Sequence, residues 1–216
     1  MDSEDYQTNF HENRRMKMDA VKIVNKINKE HGTIKNVYFL ACGGSLVDLY
    51  PGYYFVRAES AVMDAQWIPA REFALTPPKK LGKDSLLIIC SHSGKTKECL
   101  EAAKVGMNAG AAVVTMTHAP GSACDTDEWI SIVYDWAPGV KEAEKPQGIV
   151  LRILNELMKI QEPGYVLYDK IAEGFDKIDE IIAAAVKDQQ NAAWLFAEKY
   201  SEEPNIHIMA SGASSS

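Results

Sequence analysis

Apolar and polar positions along this chain alternate between a helical and a strand-like period. From about Phe10 to Glu30 the apolar residues Met16, Ala20, Ile23, Val24 and Ile27 recur at helical spacing, and Gly32 stops that helix. A continuous apolar run, Val37-Tyr38-Phe39-Leu40-Ala41-Cys42, has the pattern of a strand buried on both faces. It ends in Gly43-Gly44-Ser45, and a helical stretch is predicted from near Ser45. Ala61 to Gln66 reads as a short strand, followed by a short helix started by Pro69. Ser85-Leu86-Leu87-Ile88-Ile89-Cys90 is the strongest strand in the chain. The helix after it carries Cys99, Leu100, Ala103 and Met107 on one face and ends at Gly110. Ala111 to Thr117 and Trp129 to Tyr134 complete a set of five strands, and helices over about 147–160 and 167–200 follow.

Strands alternating with amphipathic helices predict a parallel sheet covered on both faces. Five of them point to an α/β, doubly wound, flavodoxin-like domain with strand order 2-1-3-4-5. At 216 residues the chain is about one and a half domains long. An internal repeat gives that length a reading. Residues 36–45, N-V-Y-F-L-A-C-G-G-S, recur as residues 205–214, N-I-H-I-M-A-S-G-A-S, and the offset from Asn36 to Asn205 is 169 residues. The expected organisation is an N-terminal helix in 1–34, one complete domain in 35–200, and the start of a truncated second copy in 201–216.

Composition narrows the class. Apolar residues make up 46% and charged residues 25%, which suits a globular chain with a real core. Against 23 basic residues stand 30 acidic ones, a net charge of −7 that disfavours nucleic acid or an anionic membrane surface as the main partner. Cys42, Cys90, Cys99 and Cys124 form no C-x-x-C pair, and Cys42 and Cys90 sit in apolar runs. That usage fits reduced thiols in the cytoplasm better than a disulfide framework. The acidic N-terminus lacks the layout of a signal peptide, and no apolar run approaches the ~20 residues of a membrane span.

In a 2-1-3-4-5 sheet the crevice at the carboxyl ends of strands 1 and 3 is where ligands usually sit. The two most polar glycine-bearing loops fall there: Cys42-Gly43-Gly44-Ser45 and Ser91-His92-Ser93-Gly94-Lys95-Thr96. Each is expected to lead into a helix whose first turn exposes free N–H groups and the positive dipole end. Glycine lets the backbone approach an anion, and Ser45, Ser91, Ser93 and Thr96 can donate to its oxygens, together a phosphate cradle. The competing reading of such hydroxyls is plain N-capping, foremost for Ser45. Gly94-Lys95-Thr96 ends like a Walker A motif, but Ile89 occupies the position of its first glycine. No G-x-G-x-x-G is present after the first strand, so ATP and NAD are poorly supported. FMN is not excluded by the loop alone, although a flavodoxin phosphate loop follows strand 1 and this one follows strand 3.

These two loops resemble those of the sugar isomerase (SIS) domain family. Ala41-Cys42-Gly43-Gly44-Ser45, Tyr50-Pro51, Arg57-Ala58-Glu59-Ser60 and Ile208-Met209-Ala210-Ser211-Gly212-Ala213 most resemble the family's fructosamine deglycases, which cleave 6-phosphorylated Amadori adducts such as fructoselysine 6-phosphate. The resemblance runs from about Lys35 to the end and is weaker between Ala137 and Tyr200. It implies a phosphorylated sugar or sugar-amine adduct held by Gly43, Gly44, Ser45, Ser91, His92, Ser93, Gly94 and Thr96, with neither cofactor nor metal. It also implies a homodimer or higher homo-oligomer. The family's acid/base glutamate and histidine lie in a second SIS domain, beyond the equivalent of Ser216.

Candidate bases inside the chain have blander roles available. Glu72 suits a helix terminus or an interface, and Glu142 and Glu144, beside Lys145, suit a helix dipole. For His92 the backbone is expected to matter more than the ring. His118 is expected to be a solvated loop residue, and His207 a structural one. The aromatic residues, Trp67 and Trp194 included, read as packing. The leading expectation is part of a deglycase yielding glucose 6-phosphate and an amino acid. Alternatives are an aldose–ketose sugar-phosphate isomerase and a non-catalytic phosphosugar-sensing module. An amidotransferase is disfavoured because no glutaminase domain with a leading cysteine precedes the domain.

Overall fold

The first helix, α1 (Ala20–His31), starts where the Asp19 side chain accepts from Lys22 N at 3.2 Å, and ends at Gly32, whose φ is +72°. Its buried residues, Ile23, Val24 and Ile27, are those the helical period selects. The computed structural model describes residues 19–207, so the Phe10–Met18 part of the expected helix lies outside the described residues.

Five strands follow: β1 (Asn36–Ala41), β2 (Asp64–Pro69), β3 (Ser85–Cys90), β4 (Ala112–Thr117) and β5 (Ile130–Val133). All pairings are parallel and the order is β2-β1-β3-β4-β5, the predicted flavodoxin-like arrangement. Every residue of β1, β3 and β4 is buried, as their unbroken apolar runs require. β2 is the edge strand and largely exposed; it begins at Asp64, three residues later than expected, because Ser60 and its neighbours are held elsewhere. Glu162, buried at the end of a later helix, accepts from the Ser60 hydroxyl and from Ala61 N (2.9 Å). Ser60 Oγ in turn accepts from Met63 N at 2.8 Å, closing a turn before the strand.

The helical stretch after β1 is two helices, α2 (Gly44–Asp48) and α3 (Tyr50–Glu59). The break falls at Leu49, two residues before Pro51, which has no N–H to continue the ladder from α2. α4 (Ala70–Leu75) and α5 (Lys97–Asn108) cover one sheet face; α1, α3 and α6 (Pro146–Gln161) cover the other. α5 buries Cys99, Ala102, Ala103 and Gly106, whereas Leu100 is half-buried and Met107 exposed, so small residues face the sheet there. A Cβ on Gly106 would lie 2.3 Å from Leu87 Cδ2, and one on Gly52 2.3 Å from Val150 Cγ1: these helices sit too close for larger side chains.

The last helix, α7 (Tyr168–Tyr200), spans 33 residues. Its first turns rest on α6 through half-buried Ile171 and Phe175, with Arg152 4.9 Å above the Phe175 ring. From Asp179 to Lys199 every residue is exposed, Trp194 (68%) among them, so that tryptophan does not pack as expected. Of the expected second-copy strand, Asn205–His207 form no strand and are exposed. Its remainder, 208–216, lies outside the described residues. Among the described residues no helix is long and apolar enough to cross a membrane.

Candidate functional site

β1 and β3 pair in register with Ala41 opposite Cys90, so the loops that leave their carboxyl ends start side by side. Gly43 takes φ +59° and Gly94 φ +64°, conformations that L side chains avoid. At Gly94 space imposes the same choice: a Cβ would lie 1.9 Å from Ser122 Oγ and 2.7 Å from Thr117 Oγ1.

The second loop is tied down by its backbone. Ser91 N donates to Met116 O (3.0 Å), Gly94 N to Ser91 O (2.9 Å) and Cys124 N to Gly94 O (3.1 Å). The His92 carbonyl accepts from His118 N (3.1 Å) and Thr117 Oγ1 (3.3 Å), anchoring the loop to the end of β4. Ser91 is buried and its hydroxyl donates to Thr96 Oγ1 at 2.9 Å; Ser93 Oγ accepts from Lys95 N at 3.4 Å. Thr96 is the N-cap residue of α5, yet its side chain makes no cap hydrogen bond. Ser45 lies within α2, whose N-cap is Gly43, so Ser45 is not a cap either. The five residues of α2 carry only a small dipole, less than the sequence pattern suggested, whereas α5 offers a twelve-residue one.

Beside this loop the structure gathers a ring cluster that sequence spacing does not reveal. The His92 ring stacks on His118 at 5.0 Å between centroids and 15° between planes. Its Nδ1 lies 2.9 Å from the hydroxyl of Tyr134, the residue after β5, and Trp136 meets its edge at 5.6 Å. His118 Nδ1 lies 3.2 Å from Tyr134 O, so His118 is half-buried and engaged rather than solvated. The cluster extends to Lys145, whose ammonium lies 5.7 Å from the Trp136 ring centre and pairs with Glu142. Exposed Glu144 and exposed Glu72, on α4, make no part of it.

Asp48, which the sequence reading passed over, is half-buried at the end of α2, where Gln147 Nε2 donates to it at 2.7 Å. Burial holds its carboxyl above the ordinary carboxylate value, and nearby His92 partly offsets that. Gln147 Oε1 is itself buried and without a protein partner. Burial raises the Cys90 thiol to about 12 and the Cys124 thiol to about 11, and pushes the Tyr134 phenol well above its usual range, so all three stay protonated at neutral pH. All four cysteines are free. Among the described residues no three His, Cys, Asp or Glu side chains gather as metal ligands would.

Trp67 Nε1 donates to Leu46 O at 2.6 Å and its ring packs on Tyr50 and Tyr53, a structural role. His207 is exposed. The arrangement can therefore take an anion on hydroxyls and backbone, next to a polar wall of Asp48, Gln147, His92 and Tyr134.

No family model matches the chain. The fructosamine deglycase FrlB of Bacillus subtilis strain 168 is 33% identical over 181 residues, 84% of this chain and 55% of that protein. A solved candidate phosphosugar isomerase from Salmonella typhimurium LT2 superposes with a TM-score of 0.81 at 30% identity, over 91% of this chain and 59% of the other. A second, from Bacillus subtilis, gives 0.78 at 30% identity, over 92% and 61%. The chain thus spans less than two thirds of the length of each of these relatives.

Proposed function

Because the chain belongs to the SIS-domain family, among the phosphosugar isomerases and fructosamine deglycases, we propose that it binds the phosphate of a 6-phosphorylated sugar or sugar-amine adduct through Gly43, Gly44, Ser45, Ser91, His92, Ser93, Gly94 and Thr96. The observation that carries this reading is the facing pair Ser91 Oγ and Thr96 Oγ1, 2.9 Å apart, neither spent on capping a helix, beside the Gly43–Ser45 loop. A phosphate there meets hydroxyl donors, free N–H groups of the first turn of α5 and the positive end of its dipole. Lys95 and Lys97, exposed at that turn, add to the favourable field.

Identity to the deglycase FrlB supports deglycation of 6-phosphofructosamines as the activity of the whole protein. Reversal of an Amadori adduct moves a proton between C1 and C2 through an enaminol, and the imine at C1 is then hydrolysed. Both steps need an acid/base group at the carbon skeleton, while the phosphate anchor orients the substrate from a distance. In this reading the described domain is the anchor.

Thermal denaturation with glucose 6-phosphate tests it. At tenfold excess over Kd the ligand adds about 1.4 kcal/mol, a rise in Tm of about 3–6 °C for a chain of this size. No shift at millimolar ligand would sink the assignment.

A further inference from the structure

His92 is an exposed residue whose ring is nonetheless held on three sides, by stacked His118, by the edge of Trp136 and by the Tyr134 hydroxyl. Ordering an exposed side chain costs entropy, which these ring contacts and the hydrogen bond to Tyr134 offset. Tyr134 itself is 1% exposed, so its phenol must find its partners inside the protein. Two atoms are in reach: His92 Nδ1 at 2.9 Å and Cys90 Sγ at 4.0 Å. Sulfur is the weaker acceptor and lies more than an ångström farther away, so the imidazole nitrogen is the favoured acceptor for the phenol. The phenol proton therefore goes to His92 Nδ1. A neutral imidazole that accepts at Nδ1 carries its proton on Nε2.

We infer that Tyr134 is a positioning residue: it holds His92 as the Nε2–H tautomer, so that Nε2, the nitrogen turned away from the buried hydroxyl, donates a hydrogen bond to an oxygen of the ligand in the crevice. The acceptor's identity, a phosphorylated sugar, rests on the function proposed above; the tautomer does not. The role differs from that of the loop hydroxyls, which hold an anion by number. His92 supplies one donor of fixed direction between Ser91 and Ser93, and its direction is set from β5, a strand two places away in the sheet.

Long-range 1H–15N correlation spectra of the ligand-free protein read the His92 tautomer directly. Wild type is expected to show protonated Nε2 and bare Nδ1, and Tyr134→Phe to lose that pattern for a mixture of tautomers. In calorimetric titration with glucose 6-phosphate, Tyr134→Phe and His92→Ala are each expected to weaken binding about 3–10-fold, and the double variant to bind no more weakly than His92→Ala alone. An Nδ1–H tautomer in wild type, an unchanged tautomer in Tyr134→Phe, or losses that multiply in the double variant would overturn the inference. If Tyr134→Phe does not fold, His92→Gln decides: its amide restores a donor near Nε2 without Tyr134 and should bind better than His92→Ala, and equal weakening counts against the inference. Wild-type protein with the expected tautomer but no glucose 6-phosphate binding would refute the proposed function and the ligand contact while upholding the role of Tyr134 toward His92.

Discussion

Gly94 carries two constraints at one Cα. Its φ of +64° penalises any side chain, and a Cβ would collide with Ser122 and Thr117, which brace the loop from the end of β4. Gly94→Ala is expected to lower stability by about 2–4 kcal/mol, from backbone strain plus overpacking, and to abolish phosphosugar binding. Chemical denaturation and a ligand titration measure the two losses; full binding by a folded Gly94→Ala protein would show that the loop does not cradle the anion. Asp48 carries an electrostatic constraint. With its folded-state value raised above the unfolded 3.8, the native chain binds more protons than the unfolded one between those two values. Stability attributable to this carboxyl is therefore present at low pH and falls as pH rises through that window. Asp48→Asn, which keeps an acceptor for Gln147, should remove the fall and melt higher than wild type at neutral pH. A constant difference in Tm across pH 3–8 would contradict the burial argument. The loop glycines Gly43 and Gly94 were legible in the sequence because local chain geometry demands them. Asp48, Tyr134 and Gln147 were not, since each is ordinary in its own segment and gains significance only from neighbours across the sheet.

Elements divide in the same way. The fully buried strands were readable to within a residue, since an unbroken apolar run has one use in a parallel sheet. β2 was misplaced by three residues because edge strands are half polar and Ser60 is bound to Glu162, about a hundred residues away in the chain. The buried face of α5 was misassigned as well, since contact with β3 and β4 selects Ala102 and Gly106 by size over Leu100 and Met107. α7 bears on assembly. Ile181 (60% exposed), Val186 (63%), Leu195 (59%) and Phe196 (50%) lie on the stretch of α7 from Asp179 to Lys199 in which every residue is exposed. A solvated helix this apolar is marginal alone. The homo-oligomer proposed from the family resemblance gives these residues a place at a contact between copies. Multi-angle light scattering is expected to find dimers or larger species at micromolar concentration, and Val186→Glu with Phe196→Glu to dissociate them. A monomeric wild-type protein would exclude α7 as a self-contact.

At the scale of the whole molecule, the described residues form one sheet with a helical cover, and the proposed site lies where its strand order reverses. We expect the 216-residue chain to cleave fructoselysine 6-phosphate negligibly, because the resemblance puts the acid/base residues beyond the equivalent of Ser216. Release of glucose 6-phosphate at the rate of a full-length deglycase would show instead that a base, with Asp48 the first to test, is present in this domain. The sequence alone determined the fold class, the strand order and the two loops. The elements and loops depend on periodicity and turn chemistry, which act over a few residues at a time, and the strand order follows from the fold class they define. Only the tertiary structure decided what stands beside those loops. Stacked His92 and His118, the buried Tyr134 hydroxyl and the Asp48–Gln147 pair join residues 26 to 99 positions apart in the chain. Side chains so distant in sequence meet only when a packed sheet brings its carboxyl ends together, and no local pattern encodes that meeting.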